Sequence, residues 1–159
     1  MTGLFYEEID IGLVIEMGSY HFTRDRILDF AQKFDPQRFH VDDAAAREGP
    51  FGALTASGLH TASAWMKSHV ASNEKARAAV LAAGKPLPAI GPSPGINNLR
   101  WSAPVYVDDI IDYRSTVTGK RLSSRAGWGL VLSVNEGFNQ HGKQVLSFEG
   151  AGFTACRSA

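Results

Sequence analysis

Asp35 and His40 stand five residues apart in the stretch FDPQRFHVDD, and Ser57-Gly58 follow about twenty residues later at the head of SGLHTASAWMKSH. A carboxylate and an imidazole at this spacing can share one water molecule, since an imidazole ordinarily titrates near neutrality and burial lifts a carboxylate towards the working range. Ser57 is a good helix N-cap, and Gly58 behind it has no side chain to keep a ligand oxygen from the free N–H groups of the first turn. An acid/base pair opposite an anion-holding helix end suits the addition or removal of water beside a carbonyl. A plainer alternative is that Asp35 caps a turn, His40 lies at the surface and Ser57 only caps a helix.

The elements that must position these groups can be read on either side of them. Gly12 to His21 mixes β-branched and aromatic residues and predicts a strand, weakened at Gly18. Thr23 caps a helix from about Arg24, with Ile27, Phe30, Ala31 and Phe34 as its buried stripe. Pro36 forces that helix to stop near Phe34, so Asp35 falls at a helix exit. Val41 to Ala46 predicts a short helix capped by Asp42, and Glu48 to Gly52 a turn.

From Ser57 the most apolar helix begins. Leu59, Ala62, Ala64, Trp65, Met66 and Val70 surround most of its girth, which predicts burial, with Trp65 and Met66 in the core. His60, Ser63 and Lys67 are expected to form a narrow polar edge, and His60 and His69 to be packing or edge residues. Ser72 to Ala83 either prolongs this helix or forms another. Gly84 to Gly95 is rich in Pro and Gly and predicts a loop. Strands follow at Asn97 to Ala103, Asp109 to Gly119, Trp128 to Asn139 and Gln144 to Cys156, the last two joined at Gln140 to Lys143. One strand, then helices, then an antiparallel meander is an α+β order, expected as one domain over residues 1–159.

Composition narrows the function classes. The 16 basic residues balance the 16 acidic ones, so a broad nucleic-acid surface is not expected. The lone Cys156 cannot form an internal disulfide, no apolar run reaches membrane-spanning length, and MTGLFYEEIDIG is unlike a secretion signal. A cytoplasmic protein is expected. No Gly-x-Ser-x-Gly elbow, phosphate-binding Gly-Lys-Ser/Thr loop or Gly-x-Gly-x-x-Gly is present. Cys156 has no His close in sequence to activate it, and no residue is assigned to a metal, since Asp42 and Asp43 suit a helix start better than an ion beside His40.

Asp35-Pro36-Gln37-Arg38-Phe39-His40-Val41-Asp42, followed by Ala56-Ser57-Gly58-Leu59-His60, resembles the hydratase motif of the MaoC-like dehydratases, which include the (R)-specific enoyl-CoA hydratases. Arg100 to Asp109 is similar to that family's later stretch, an aromatic, Pro-Val and an acidic turn before a long strand. The (R)-specific hydratases usually place asparagine and proline just before the histidine; here proline follows Asp35 and Gln37, Arg38 and Phe39 fill the gap. The resemblance implies a hotdog fold, an antiparallel sheet wrapped around one long central helix. It implies that Asp35 and His40 activate water and that the Gly58 N–H, supported by the Ser57 cap, holds the thioester carbonyl oxygen. It further implies an acyl-CoA or similar thioester as substrate, no metal or other cofactor, and a homodimer or higher homo-oligomer. Two other readings use the same scaffold. A hotdog thioesterase resembles others of its kind in carrying a carboxylate on the central helix, and Gly58 to Val70 has none. A non-catalytic acyl-CoA-binding module would leave the acid and base dispensable.

Overall fold

The computed structural model describes residues 3–157. After a 3-10 turn at Tyr6–Glu8 come strand β1 (Val14–His21) and four helices, α1 (Arg24–Phe34), α2 (Arg38–Val41), α3 (Asp43–Glu48) and α4 (Gly58–Ala82). Strands β2 (Ile96–Arg100), β3 (Ile110–Leu122), β4 (Trp128–Asn139) and β5 (Gln144–Ala155) follow. The fold is α+β, with one antiparallel five-stranded sheet against one long helix, as expected.

Local chemistry explains most boundaries. Thr23 accepts from the Arg26 N–H and opens α1, which ends where Pro36 disfavours α geometry for Asp35. Asp42 accepts from the Ala45 N–H and opens α3, and Ser57 accepts from the Leu59 N–H and opens α4. Residues 38–40, for which the sequence pattern predicts no element, close with Val41 one helical turn that carries His40. Ser72 to Ala83 prolongs α4 into a single 25-residue helix.

The sheet order is β1-β3-β4-β5-β2. Strands β3, β4 and β5 are the meander that the sequence predicts, but β2 does not pair with β3. It crosses to the far edge and pairs with β5. The loop before it is anchored there too, with Gly91 N donating to Phe153 O and Ala155 N to Ala89 O. Asn98, at a φ of 52°, interrupts β2 where its register shifts.

Along β3 the side chains alternate, with Ile111, Tyr113, Ser115 and Val117 buried on the face that turns inward. Trp65 of α4 meets this core edge-on to Phe148, ring centroids 4.6 Å apart, and the Tyr113 hydroxyl donates to Thr61 O at 2.9 Å. Burial pushes the Tyr113 phenol above its ordinary pKa, which keeps it a neutral donor.

Where the sequence predicts burial around most of its girth, α4 is buried along one face only. Its buried stripe is His60, Thr61, Ala64, Trp65 and Ser68, whereas Leu59, Met66 and Val70 are 51%, 48% and 46% exposed. Trp65 is core as expected; Met66 is not. The reason is tertiary: His60 is sealed by aromatic rings, stacked on Phe30 at 4.5 Å and edge-on to Phe22 at 4.9 Å. Its Nε2 lies 3.4 Å from the Tyr20 hydroxyl, and burial pushes its pKa down to about 4, so it packs as a neutral ring.

The inward register of β3 gives a direct check. Ile111→Ala is expected to lower unfolding free energy by about 2–5 kcal/mol, and its outward neighbour Ile110→Ala by less than about 1 kcal/mol, measured by urea unfolding.

Candidate active site

The exit of α1, the one-turn α2 and the head of α4 converge on a cavity of about 460 Å³ whose lining includes Asp35, His40, Gly58 and Trp101. All four residues singled out from the sequence, Asp35, His40, Ser57 and Gly58, line this one cavity.

Asp35 is held from two sides. Its Oδ2 accepts from the Ser57 hydroxyl at 2.6 Å, and its Oδ1 from the Gln37 side-chain amide at 2.8 Å. Burial raises the Asp35 pKa, but the bonds from Ser57 and Gln37 and the nearby His40 outweigh it and leave the carboxyl below its ordinary 3.8. This corrects the expectation that partial burial would lift it towards neutrality. Asp35 is a settled carboxylate, a strong acceptor and a weak base.

His40 is only 5% exposed. Its Nδ1 lies 2.7 Å from Thr55 O, and a carbonyl can only accept, so Nδ1 carries the proton. In the neutral ring the lone pair is therefore on Nε2, which faces Asp35 Oδ2 at 3.7 Å. That gap is too long for a direct hydrogen bond and suits a bridging group.

Gly58 begins α4, and among the described residues its N–H has no partner. Its missing side chain has a cause that the sequence alone does not show. A Cβ there would stand 2.6 Å from the Trp101 ring, and the Trp101 indole N–H donates to Gly58 O at 2.8 Å. Glycine thus lets the indole lie flat against the helix start, beside the N-terminal donors.

Sequence reasoning missed three supports. Gln37 and Thr55 orient the acid and the base, and Trp101 walls the helix end. Gln37 and Thr55 carried no signal, because ordinary polar residues become informative only through their partners. Trp101 stood inside the later family-like stretch, and its aromatic character was the available clue. Asp42 and Asp43 are engaged as a cap and as an Arg24 partner, in keeping with a helix start.

Ser57 Oγ serves two ends at once, donating to Asp35 and accepting from Leu59 N. Because the native Asp35 pKa lies below 3.8, this carboxylate contributes stability that is fully present above that value and lost as pH falls through the native one. Ser57→Ala is expected to raise the Asp35 pKa towards its ordinary value, followed by carboxyl NMR titration. It should also cost about 1 kcal/mol of stability through the lost cap.

A family model described as MaoC like domain matches residues 11–131. The uncharacterized protein YdeM of Bacillus subtilis (strain 168) is 31% identical over 144 residues, which cover 91% of this chain and 92% of YdeM. The crystal structure of a MaoC-like dehydratase from Rhodospirillum rubrum matches with a TM-score of 0.79 and 27% identity, over 99% of this chain and all of the other. The R-hydratase PhaJ1 from Pseudomonas aeruginosa, in its unliganded form, shares the fold with a TM-score of 0.67 and 23% identity, over 98% and 87% of the two chains. With a family model over most of its length and a relative above 30% identity along nearly all of it, this chain belongs to the MaoC-like domain family, the hotdog family of hydratases and dehydratases.

Proposed function

We propose that the protein is a hydro-lyase that reversibly adds water to a 2-enoyl thioester, carried as an acyl-CoA, with Asp35 and His40 as the reacting pair. The observation that carries this reading is the 3.7 Å approach of Asp35 Oδ2 to a His40 Nε2 free to accept, in a cavity that also contains the head of α4.

In the hydration direction a water bridges Asp35 and His40. As its oxygen bonds to C3 of the enoyl group, one of its protons passes to His40 Nε2, because the depressed Asp35 carboxylate is the poorer base. The C2–C3 double-bond electrons move towards the thioester carbonyl, and the resulting enolate oxygen is held by the Gly58 N–H and the helix dipole. The imidazolium, steadied by the Asp35 charge, then returns its proton to C2. Water is consumed as OH at C3 and H at C2. Base, proton carrier and oxyanion donor all come from the chain, so the reaction proceeds without a metal or organic cofactor.

The thioesterase reading has no such support, since α4 brings no carboxylate into this cavity. Self-association into a homodimer belongs to the proposal as well. The exposed apolar side of α4 at Leu59, Met66 and Val70, and the open edge of β2, favour it.

Asp35→Asn and His40→Gln are each expected to lower kcat/KM for 2-enoyl-CoA hydration by about 10²–10⁴-fold with folding intact, followed by loss of enoyl absorbance. Wild-type activity in both variants, or release of free thiol in place of hydration, would sink the assignment. Sedimentation equilibrium should give twice the 17.2 kDa chain mass; a monomer at micromolar concentration would remove the dimer.

A further inference from the structure

Gln37 hydrogen-bonds to both members of the reacting pair. Its carbonyl accepts from the His40 N–H, and its side-chain amide donates to Asp35 Oδ1, each at 2.8 Å. The local backbone brings this about. At Pro36 the chain makes a three-residue turn, closed by Gln37 N–H donating to Asp35 O at 2.8 Å, and the residue-37 side chain returns to the carboxyl. Gln37 stands at the N-cap position of α2, yet its side chain makes no capping bond. Short side chains cap helices best, and the longer glutamine reaches Asp35 instead.

The two donors to Asp35 differ in their other duties. Ser57 also accepts from Leu59 N, so its bond to the carboxylate is tied to the start of α4. The Gln37 carboxamide makes no other hydrogen bond among the described residues, and Gln37 is exposed. At an exposed site water replaces such a bond at small cost, which leaves the amide little to contribute to stability. Its weight changes once the cavity is filled. Gln37 lines that cavity together with Asp35, His40 and Gly58, and a ligand seated there displaces the water that would stand in for the amide. In a drier site the donor on the carboxylate is a charge-assisted bond without a substitute.

The same bond divides the two carboxylate oxygens. With Oδ1 committed to Gln37, Oδ2 is the oxygen that faces His40 Nε2 at 3.7 Å and has a lone pair left beside the Ser57 bond. Without the amide the carboxylate can turn about χ2, a soft torsion. Burial, which raises the Asp35 pKa, would then be opposed by one donor fewer, so the pKa would move up.

We propose that Gln37 is a positioning residue of the hydration reaction. It fixes the plane of the Asp35 carboxylate, so that Oδ2 holds the reacting water against His40 while Oδ1 takes no part. The inference rests on the hydratase reading for the reaction, not for the hold on Asp35.

Two substitutions separate this role from a structural or a ligand-binding one. Gln37→Leu deletes the donor and keeps much of the bulk, whereas Gln37→Glu keeps the shape and puts a second carboxyl beside Asp35. Gln37→Leu is expected to lower kcat for 2-enoyl-CoA hydration about tenfold, with KM changed by less than about threefold. Its urea midpoint should stay that of the wild type, and the Asp35 titration followed by carboxyl NMR should move up. In Gln37→Glu the two carboxyls share one proton at lower pH and repel each other once both ionise. Hydration by that variant should therefore fall as pH rises through the upper step, whereas the wild-type rate rises as the base loses its proton and then levels. A raised KM with kcat kept would make Gln37 a substrate contact and overturn the proposal. A Gln37→Glu profile parallel to the wild type, or an Asp35 titration unmoved in Gln37→Leu, would overturn it as well. If the titration moves but the wild type hydrates no 2-enoyl-CoA, the hydratase reading is retired and the hold on Asp35 stands. Hydration that survives Gln37→Leu with the titration unmoved does the reverse.

Discussion

The hydroxyl of Ser57 joins two elements that the chain brings together from 22 residues apart, donating to Asp35 at the exit of α1 while accepting from Leu59 N at the entry of α4. Each half of that arrangement is common. A serine caps a helix because it satisfies an orphan N–H, and a hydroxyl near a carboxylate donates to it. Joined in one atom, they fix the acid relative to the start of α4, where the Gly58 N–H stands without a partner among the described residues. The rest of the site is arranged about this bond, since Asp35 in turn stands 3.7 Å from His40, and Thr55, two residues before Ser57, sets the His40 tautomer.

This geometry divides the chemistry. A carboxylate that accepts two hydrogen bonds is stabilised in its charged form, and Asp35 is better suited to hold a water and balance a cation than to take a proton. The imidazole, with Nδ1 committed to a carbonyl, presents one free nitrogen to the cavity. Two titratable groups in contact thus acquire different tasks from their different partners, a pattern that recurs wherever environments push neighbouring acids and bases apart.

The sheet shows the same division on a larger scale. One end of its inner face is filled by Ile111, Tyr113 and Leu146 and sealed by the aromatic surround of His60. The other end keeps small and polar side chains, Ser115, Ser133 and Asn135, and glycines at 150 and 152 where large apolar residues would close the gap. The helix α4 is therefore packed against the core at His60, Thr61 and Ala64 and left with a cavity beside Trp65, His69 and Asn73. Packing of this kind sacrifices core stability for space, which natural folds do where a ligand must enter.

How much of this was legible in the residues depends on the range of the interaction. Thr23, Asp42 and Ser57 announced three helix starts and Pro36 a helix end, because caps and proline act within one turn of themselves. The Asp35 to His40 spacing and the glycine after Ser57 marked the site by residue type, and the alternation of β3 announced its strand. Nothing local could reveal that β2 leaves the meander for the far edge beside β5, since a strand's own pattern does not name its partner. Nor could periodicity choose the buried face of α4. Its apolar residues encircle the helix, and the choice fell to His60 and Thr61 because Phe22, Phe30 and the Tyr113 hydroxyl were waiting for them on other elements. The sequence by itself determined which groups were available for chemistry and where each element began. Only the tertiary structure decided which faces met, which tautomer His40 adopts and in which direction the Asp35 pKa moves, since each depends on a partner distant in the chain.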